Sequence, residues 1–482
     1  MKISPLTRIT IAIFIIAFFL IRPIFLQYHG MWYVDDDYDY FAHSSALVFG
    51  QYPSYKKEFF TIMKEGPQSP IGAGILAAPF VFVFSLWDRA SGSTITETRT
   101  LDNIVGSWSQ FGFQVASIVY FISACYLLFF GISRYVAPVQ ASTAVILMMV
   151  CQGLPLFVYR RPFFSHCSEF FLQSALMYLF LIKKGPAVKL LTGVMVLSAL
   201  LYLTRPNDIA FALVWPLLVM DYSKGIIHTL RQSCACIFLF AGLILIFKVW
   251  PESVNHMHPY SWAGEFLGRQ MTFASFFQRI VHIFAGIDWG LIFTAPFLLI
   301  SFCGIFLLKG PIRKNFIWLL LPMAINFYVI IVWGAQGGWY GYRYFIPAAI
   351  PVMTLPLAFA LEWASKRILG WVIPLIVLIS LAPLFSMLAF EGDPIFNLYN
   401  VPVDFNVQDW TNPDLQANIW GAFINVPGTF CVIISEGLLE LLPVIITGNP
   451  PLTQTTWLRV FIILFIPWLA YLICIFRRKI IK

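Results

Sequence analysis

Long apolar runs separated by short polar links make up most of the chain, and the runs approach the roughly 20 residues that a helix needs to cross a hydrocarbon core. Within runs such as "IAIFIIAFFLIRPIFL" and "VASIVYFISACYLLFFGI" apolar residues are continuous rather than alternating, so helices fit and lipid-facing barrel strands do not. The pattern predicts an all-α polytopic membrane protein with about 12 spans, near 8–27, 110–132, 139–158, 168–183, 188–204, 207–221, 232–250, 288–308, 315–333, 344–362, 368–390 and 457–476. An even number of spans puts both termini on one side.

Two further apolar segments are not counted as spans. "SPIGAGILAAPFVFVFSLW", 69–87, is read as an interfacial or re-entrant helix on the outer side, because counting it would move "KKGPAVK" outside. "TFCVIISEGLLELLPVIITG", 429–448, carries Glu436 and Glu440 one turn apart and is read as a surface-lying amphipathic helix. Residues 1–390 then form the transmembrane core with an external loop at 28–109, 391–456 an external capping segment, and 457–482 the last span and a basic tail.

Composition strengthens this picture: 59% of residues are apolar, 17% aromatic and only 11% charged, with a mean hydropathy of +0.79. The formal charge of +8 is not spread evenly. The termini and the links "SRYVAP", "KKGPAVK", "DYSKGIIHTLRQ", "KGPIRK" and "EWASKR" hold 17 Lys/Arg against two acids, and the remainder holds 14 against 21. The positive-inside rule makes the first set cytoplasmic, so the basic balance reports orientation and not a nucleic-acid partner. The expected location is a cytoplasmic (inner) membrane, multi-pass, with the acidic face external. The first apolar run lacks a small-residue cleavage pattern and is read as an uncleaved span. Eight cysteines without CxxC spacing specify neither a zinc site nor a disulfide framework. No P-loop occurs, and no repeat of one half in the other, as many transporters show.

The external face carries the polar chemistry. In "YVDDDYDYFAHSSALVFGQYP" the acids Asp35, Asp36, Asp37 and Asp39 precede Tyr40, Phe41, Ser44, Leu47 and Val48 at helical spacing, with Gly50 and Pro53 after them. The reading is a short helix on the membrane surface that starts at the acids. Clustered carboxylates near low-dielectric material raise one another's pKa, which makes one of them a candidate general base; the plain alternative is a solvated acidic loop.

An acidic pair in the first external loop, a Tyr three residues after it, a Gly-x-x-Pro closing the short helix and the apolar "PQSPIGAGILAAPF" beyond resemble the GT-C superfamily of polyprenyl-phosphate-sugar glycosyltransferases, over roughly the first 210 residues. The resemblance implies a GT-C-like fold with 11 to 13 spans and external surface helices. It also implies a catalytic acidic residue at Asp36 or Asp37, Asp35 being the other choice for the first member of the pair, with Tyr40 as the following aromatic. The family's Lys-Pro-Pro-Leu has only "GPQSPIG" as its counterpart.

Four further stretches carry candidates. In "VYRRPFFSHCSEFF" His166 and Glu169 lie three apart and can share a proton or a divalent ion, and Arg160 and Arg161 can grip phosphate oxygens or simply snorkel to the interface. The resemblance makes Glu169 the counterpart of a second external acid. "LTRPNDIAF" is a tight turn in which Asp208 can cap the following helix, leaving Arg205 without a structural reason. In "GWYGYRYFIPAAIPV" Trp339 and Tyr342 suit an aromatic belt or a sugar, and Arg343 suits a carrier phosphate. Trp262, Glu265 and Arg269 share one helical face of "HPYSWAGEFLGRQ", a candidate acceptor-side surface.

With these residues in the catalytic and binding roles, the resemblance implies an inverting transfer of a sugar from a polyprenyl-phosphate donor to a hydroxyl of a lipid, polysaccharide or protein acceptor at the external face of the bilayer. A divalent cation, Mg or Mn, is an optional cofactor, with Asp36, His166 and Glu169 as its candidate ligands. A transporter or flippase of lipid-linked saccharides is the alternative; it would place ionisable residues deep in the spans, whereas here the acids crowd one face.

Overall fold

A computed structural model describes residues 3–20, 36–50, 52, 69–91, 107–150, 154–159, 162–182, 187–220, 226–248, 272–285, 291–333, 345–365 and 454–480, and every regular element among them is a helix. In chain order these are α1 (Pro5–Leu20), α2 (Asp36–Val48), α3 (Gly72–Ala90), α4 (Trp108–Ile132), α5 (Pro138–Val150), α6 (Leu154–Tyr159), α7 (His166–Ile182), α8 (Ala187–Thr204), α9 (Ile209–Val219), α10 (Ile226–Lys248), α11 (Phe273–Ala285), α12 (Leu291–Thr294), α13 (Pro296–Ile305), α14 (Gly310–Trp333), α15 (Ile346–Ser365) and α16 (Gln454–Ile480). Four of them, α3, α4, α15 and the Leu458–Arg477 part of α16, are long and apolar enough to cross a membrane. Nine of the expected spans overlap one helix each, 139–158 falls on the two helices α5 and α6 and 288–308 on α12 and α13, and 368–390 lies outside the described residues, as do 391–453 and with them the expected helix 429–448.

At the centre stands α4, buried along most of its length, with α3, α7 and α16 against it. Apolar contact gives little drive between helices already surrounded by lipid, so close packing and interhelical hydrogen bonds have to hold such a bundle. Both occur here. Thr10 of α1 shares a hydrogen bond of 2.7 Å with the Tyr126 hydroxyl of α4, Tyr135 donates to the Leu181 carbonyl at 2.9 Å, and Trp215 donates to Gln173 Oε1 at 2.9 Å. Thr7 and Tyr471 meet at 3.1 Å, so the start of the first helix lies beside the end of the last.

The 69–87 segment, expected to be interfacial or re-entrant, forms the continuous helix α3, with Pro79 inside it. It runs antiparallel to α4: Asp88 meets Trp108 and Ser109, Phe84 packs edge-on against Phe111, and the Leu76 carbonyl accepts from Tyr120 at 2.7 Å. Its other face exposes Phe82, Val83, Leu86 and Trp87, as suits a surface toward lipid. The amphipathic helix α11 has no counterpart in the expected elements. Phe273, Phe277 and Val281 recur on its exposed face, while Arg279 turns inward and donates to the Ile331 and Val332 carbonyls at 2.8 and 3.1 Å, near the end of α14 where carbonyls lack helical partners.

Candidate functional site

The acidic helix α2 is the first component. It starts at Asp36, as its sequence suggests, and Gly50 just beyond it takes φ 69°, a left-handed turn that glycine adopts without strain. It does not lie on a surface, however: every residue from Asp39 to Ala46 is buried. The small side chains Ala42, Ser44, Ser45 and Ala46 leave room for neighbours on all sides, which a membrane-surface helix would not have. Phe41 packs edge-on against Phe163 and Phe113, with ring centroids 5.9 and 6.4 Å apart.

Two of its polar groups bind the start of α3. Asp39 Oδ2 accepts the Ser69 backbone N–H at 2.8 Å, and His43 Nε2 donates to the Ser69 carbonyl at the same distance. One oxygen of Asp39 thereby serves to join α2 to the start of α3. Burial pulls the His43 pKa from 6.5 down to about 4, against the opposing pull of the Ser69 bond, so the imidazole is neutral at physiological pH.

From Ser69 the chain enters α3 through Gly72, where an added Cβ would collide with the Thr204 backbone nitrogen and side chain. That closeness locks the start of α3 onto the end of α8, one residue before Arg205. On its other side α2 reaches the turn before α7, where Ser165 donates to the Tyr40 hydroxyl at 3.0 Å. The turn is held against α4 by a hydrogen bond from Ser117 to the Pro162 carbonyl. Three stretches far apart in sequence, 36–48, 162–169 and 204–208, thus meet at one place.

A buried ionic cluster fills it. Arg205 Nε lies 3.2 Å from Glu169 Oε2, and a terminal nitrogen of the same guanidinium donates to His166 Nδ1 at 2.7 Å. The His166 ring is 3.7 Å from Glu169 and sits against Phe157, centroids 4.3 Å apart. His166 and Glu169 are completely buried, and Arg205 is 8% exposed. The carboxyl group of Asp208 adjoins that of Glu169, and its Oδ1 accepts the Asn326 amide of α14 at 2.6 Å.

Sequence reasoning anticipated this cluster in part. His166, Glu169 and Arg205 do come together. Asp208, expected as the cap of the next helix, makes no side-chain bond to that helix's backbone and faces Asn326 and Glu169 instead. Its turn is a 3-10 helix, Pro206–Asp208, closed by the Asp208 N–H on the Arg205 carbonyl at 3.0 Å; this geometry aims both side chains into the protein. Asn326 was missed, although a lone amide within the apolar run "WLLLPMAINFYVIIVW" is a signal, since a polar side chain inside a span needs a partner. Tyr40 is buried, with its hydroxyl bonded to Ser165.

The Arg205 guanidinium is in contact with both His166 and Glu169. Among the described residues no three His, Cys, Asp or Glu side chains converge on a metal position. Asp36 and Asp37 form the first turn of α2. Asp35, Arg160, Arg161, Trp262, Glu265, Arg269, Trp339, Tyr342 and Arg343 lie outside the described residues.

No protein-family model matches the chain, and no curated protein does. Among solved structures it is similar to ArnT from Cupriavidus metallidurans in the apo state, with 13% sequence identity and a TM-score of 0.47 over 96% of this chain and 74% of that one. It is similar also to the same protein bound to undecaprenyl phosphate, with 12% identity and a TM-score of 0.47 over 89% and 77% of the two chains. A likeness of that size transfers no chemistry from one protein to the other, and what this chain does has to be argued from its own residues.

Proposed function

We propose that the protein transfers a sugar from a polyprenyl-phosphate donor to a hydroxyl acceptor at the external face of a cytoplasmic membrane, with inversion at the anomeric carbon. The observation that carries this reading is the convergence of the acidic helix α2 with the Arg205 turn and the His166–Glu169 turn. It links the helix that starts with the acidic tract, through the start of α3 and the turn at Ser165, to the elements that carry the buried cation, and such a transfer uses a carboxylate and a cation at opposite sides of the reacting carbon.

In the reaction the acceptor oxygen attacks the anomeric carbon and its proton passes to a carboxylate, assigned to Asp36. The bond from that carbon to the phosphate oxygen breaks, and its electron pair remains on the phosphate. A phosphate leaves readily as an anion, so charge stabilisation can replace a general acid, and Arg205, in the buried cluster with His166 and Glu169, is the cation assigned to that role. Arg343, Arg160 and Arg161 are further candidates for the same phosphate by the sequence alone.

The test is release of polyprenyl phosphate from a panel of radiolabelled polyprenyl-phosphate sugars by the purified chain, with the wild type compared with Asp36→Asn. The panel spans short and long polyprenyl chains, undecaprenyl among them. The expected result is release by the wild type and a fall of about two to four powers of ten in Asp36→Asn at unchanged carrier binding, the usual contribution of a general base. Equal, mild losses in Asp35→Asn, Asp36→Asn and Asp37→Asn would mark the tract as a solvated loop. Movement of intact lipid-linked sugar across a vesicle membrane without release would point to a flippase.

A further inference from the structure

We propose that Asp39 and His43 are positioning residues for the transfer: by gripping the Ser69 peptide from one face of α2, they fix where Asp36, one turn earlier, stands. The inference rests on the glycosyl-transfer reading above, in which Asp36 takes the acceptor's proton.

Asp39 and His43 are four positions apart and so share a face of α2, and both are buried. Asp39 Oδ2 accepts the Ser69 N–H and His43 Nε2 donates to the Ser69 carbonyl, each at 2.8 Å. One residue thus has its backbone donor and its backbone acceptor held by a single helix. Sliding α2 by one residue would break both bonds, because hydrogen bonds are directional and short, whereas apolar contact alone tolerates such a shift.

The point they grip is itself fixed. Three residues beyond Ser69, Gly72 lies so close to Thr204 that an added Cβ would collide with it. A Cβ at Gly74 would collide with the His43 Cβ and come within 3.0 Å of the Ser44 nitrogen and 3.1 Å of the Tyr40 carbonyl oxygen. The backbones of α2 and α3 therefore nearly touch at the turn that carries the two gripping side chains. Tyr40, in the same turn, ties α2 to Ser165 as well.

The turn held in this way is the one next to Asp36. Asp36 opens the helix three residues before Asp39, about 4.5 Å along its axis. A helix passes a displacement of one turn directly to the next, so a loosened grip on Ser69 moves the first residue. A general base has to stand within hydrogen-bond reach of its proton, and a misplacement of about 1 Å can cost about a hundredfold in rate. The grip on Ser69 therefore bears on the chemical step and not on the hold on the donor.

The experiment measures release of polyprenyl phosphate from a radiolabelled polyprenyl-phosphate sugar, per folded molecule of the full-length chain in detergent. His43→Leu and Asp39→Ala each remove one of the two bonds, and His43→Gln keeps an N–H donor. The expected result is a fall in kcat of about ten- to a hundredfold in the first two, with KM for the donor within about twofold, and recovery of most of it in His43→Gln. Each change is then combined with Asp36→Asn and slow release is followed in a single turnover with the protein in excess. Residues that act through the Asp36 carboxylate cost nothing further once it is gone. A full second loss on top of Asp36→Asn would show a role independent of that carboxylate and overturn the proposal. A wild-type kcat in either folded variant would overturn it too. So would failure of both variants to fold, since the bonds would then serve the fold itself; where one folds, it decides. Wild-type protein that releases no polyprenyl phosphate would sink the transfer reading and this one together, whereas additive losses in an active protein that needs Asp36 would sink this inference alone.

Discussion

Asp88 and Glu169 are both buried carboxylates close to an arginine, and they are held in opposite ways. Asp88 closes α3 against α4: its two oxygens accept the Trp108 N–H at 2.8 Å, the Ser109 N–H at 2.7 Å and the Ser109 hydroxyl at 2.6 Å. With Ser107 accepting the Gln110 N–H, the first turn of α4 has its free donors satisfied by side chains, and a negative charge sits at the positive end of the helix dipole. Arg459 of α16 lies over the Trp108 and Phe111 rings, at 4.8 and 5.5 Å from their centroids. Glu169 has no such set of backbone donors among the described residues and is met instead by side chains, the Arg205 guanidinium, the His166 ring and the Asp208 carboxyl. A carboxylate that belongs to the scaffold is met by fixed local donors, and one that belongs to a site is met by a charge that a ligand can compete for.

Removing the cation breaks the second arrangement outright. Arg205→Leu leaves Glu169 and Asp208 buried without their counter-charge and should destabilise the protein by about 3–5 kcal/mol, read as a lower thermal midpoint in detergent. Adding Glu169→Leu and Asp208→Asn to that variant should recover most of the loss, because the strain comes from the stranded acids. A loss no larger than that of a surface substitution would show that water reaches the cluster.

His43 tests whether α2 is as firmly built in as the Asp88 junction. Its pKa is about 4 in the folded protein against 6.5 when unfolded, so the unfolded chain binds the extra proton first as pH falls. The contribution is complete above pH 6.5 and is lost progressively toward pH 4. Between pH 6.5 and about pH 5 the loss should be about 2 kcal/mol. His43→Asn does not titrate, so its midpoint should change with pH less steeply than that of the wild type over this interval. Parallel curves would mean that α2 opens before the bundle does.

Asp88→Ala should have the smallest effect of the three, about 1–2 kcal/mol for the lost cap, again as a lower thermal midpoint. It should leave release of polyprenyl phosphate per folded molecule unchanged, because its oxygens serve donors at the junction of α3 and α4. A change in that release would join the two regions functionally and remove the distinction between them.

The apolar pattern determined the helices, since a run of some 20 apolar residues in lipid has to satisfy its own backbone and only a helix does so within one segment. Charge sorting by link, and the single Asn inside α14, were equally open to reading from the chain. The acidic start of α2 was legible too, because residue type and spacing set a helix start locally. What the chain could not show was which of its charged residues face one another. Local rules made Asp208 a helix cap and put α2 on the membrane surface, but in the tertiary structure Asp208 reaches an amide 118 positions away and α2 is closed in by neighbouring helices and turns. Those pairings depend on backbones approaching at Gly72 and Thr204 and on the turn at Ser165, and such distances are decided by packing across the bundle, not by the identity of the residues nearby in sequence.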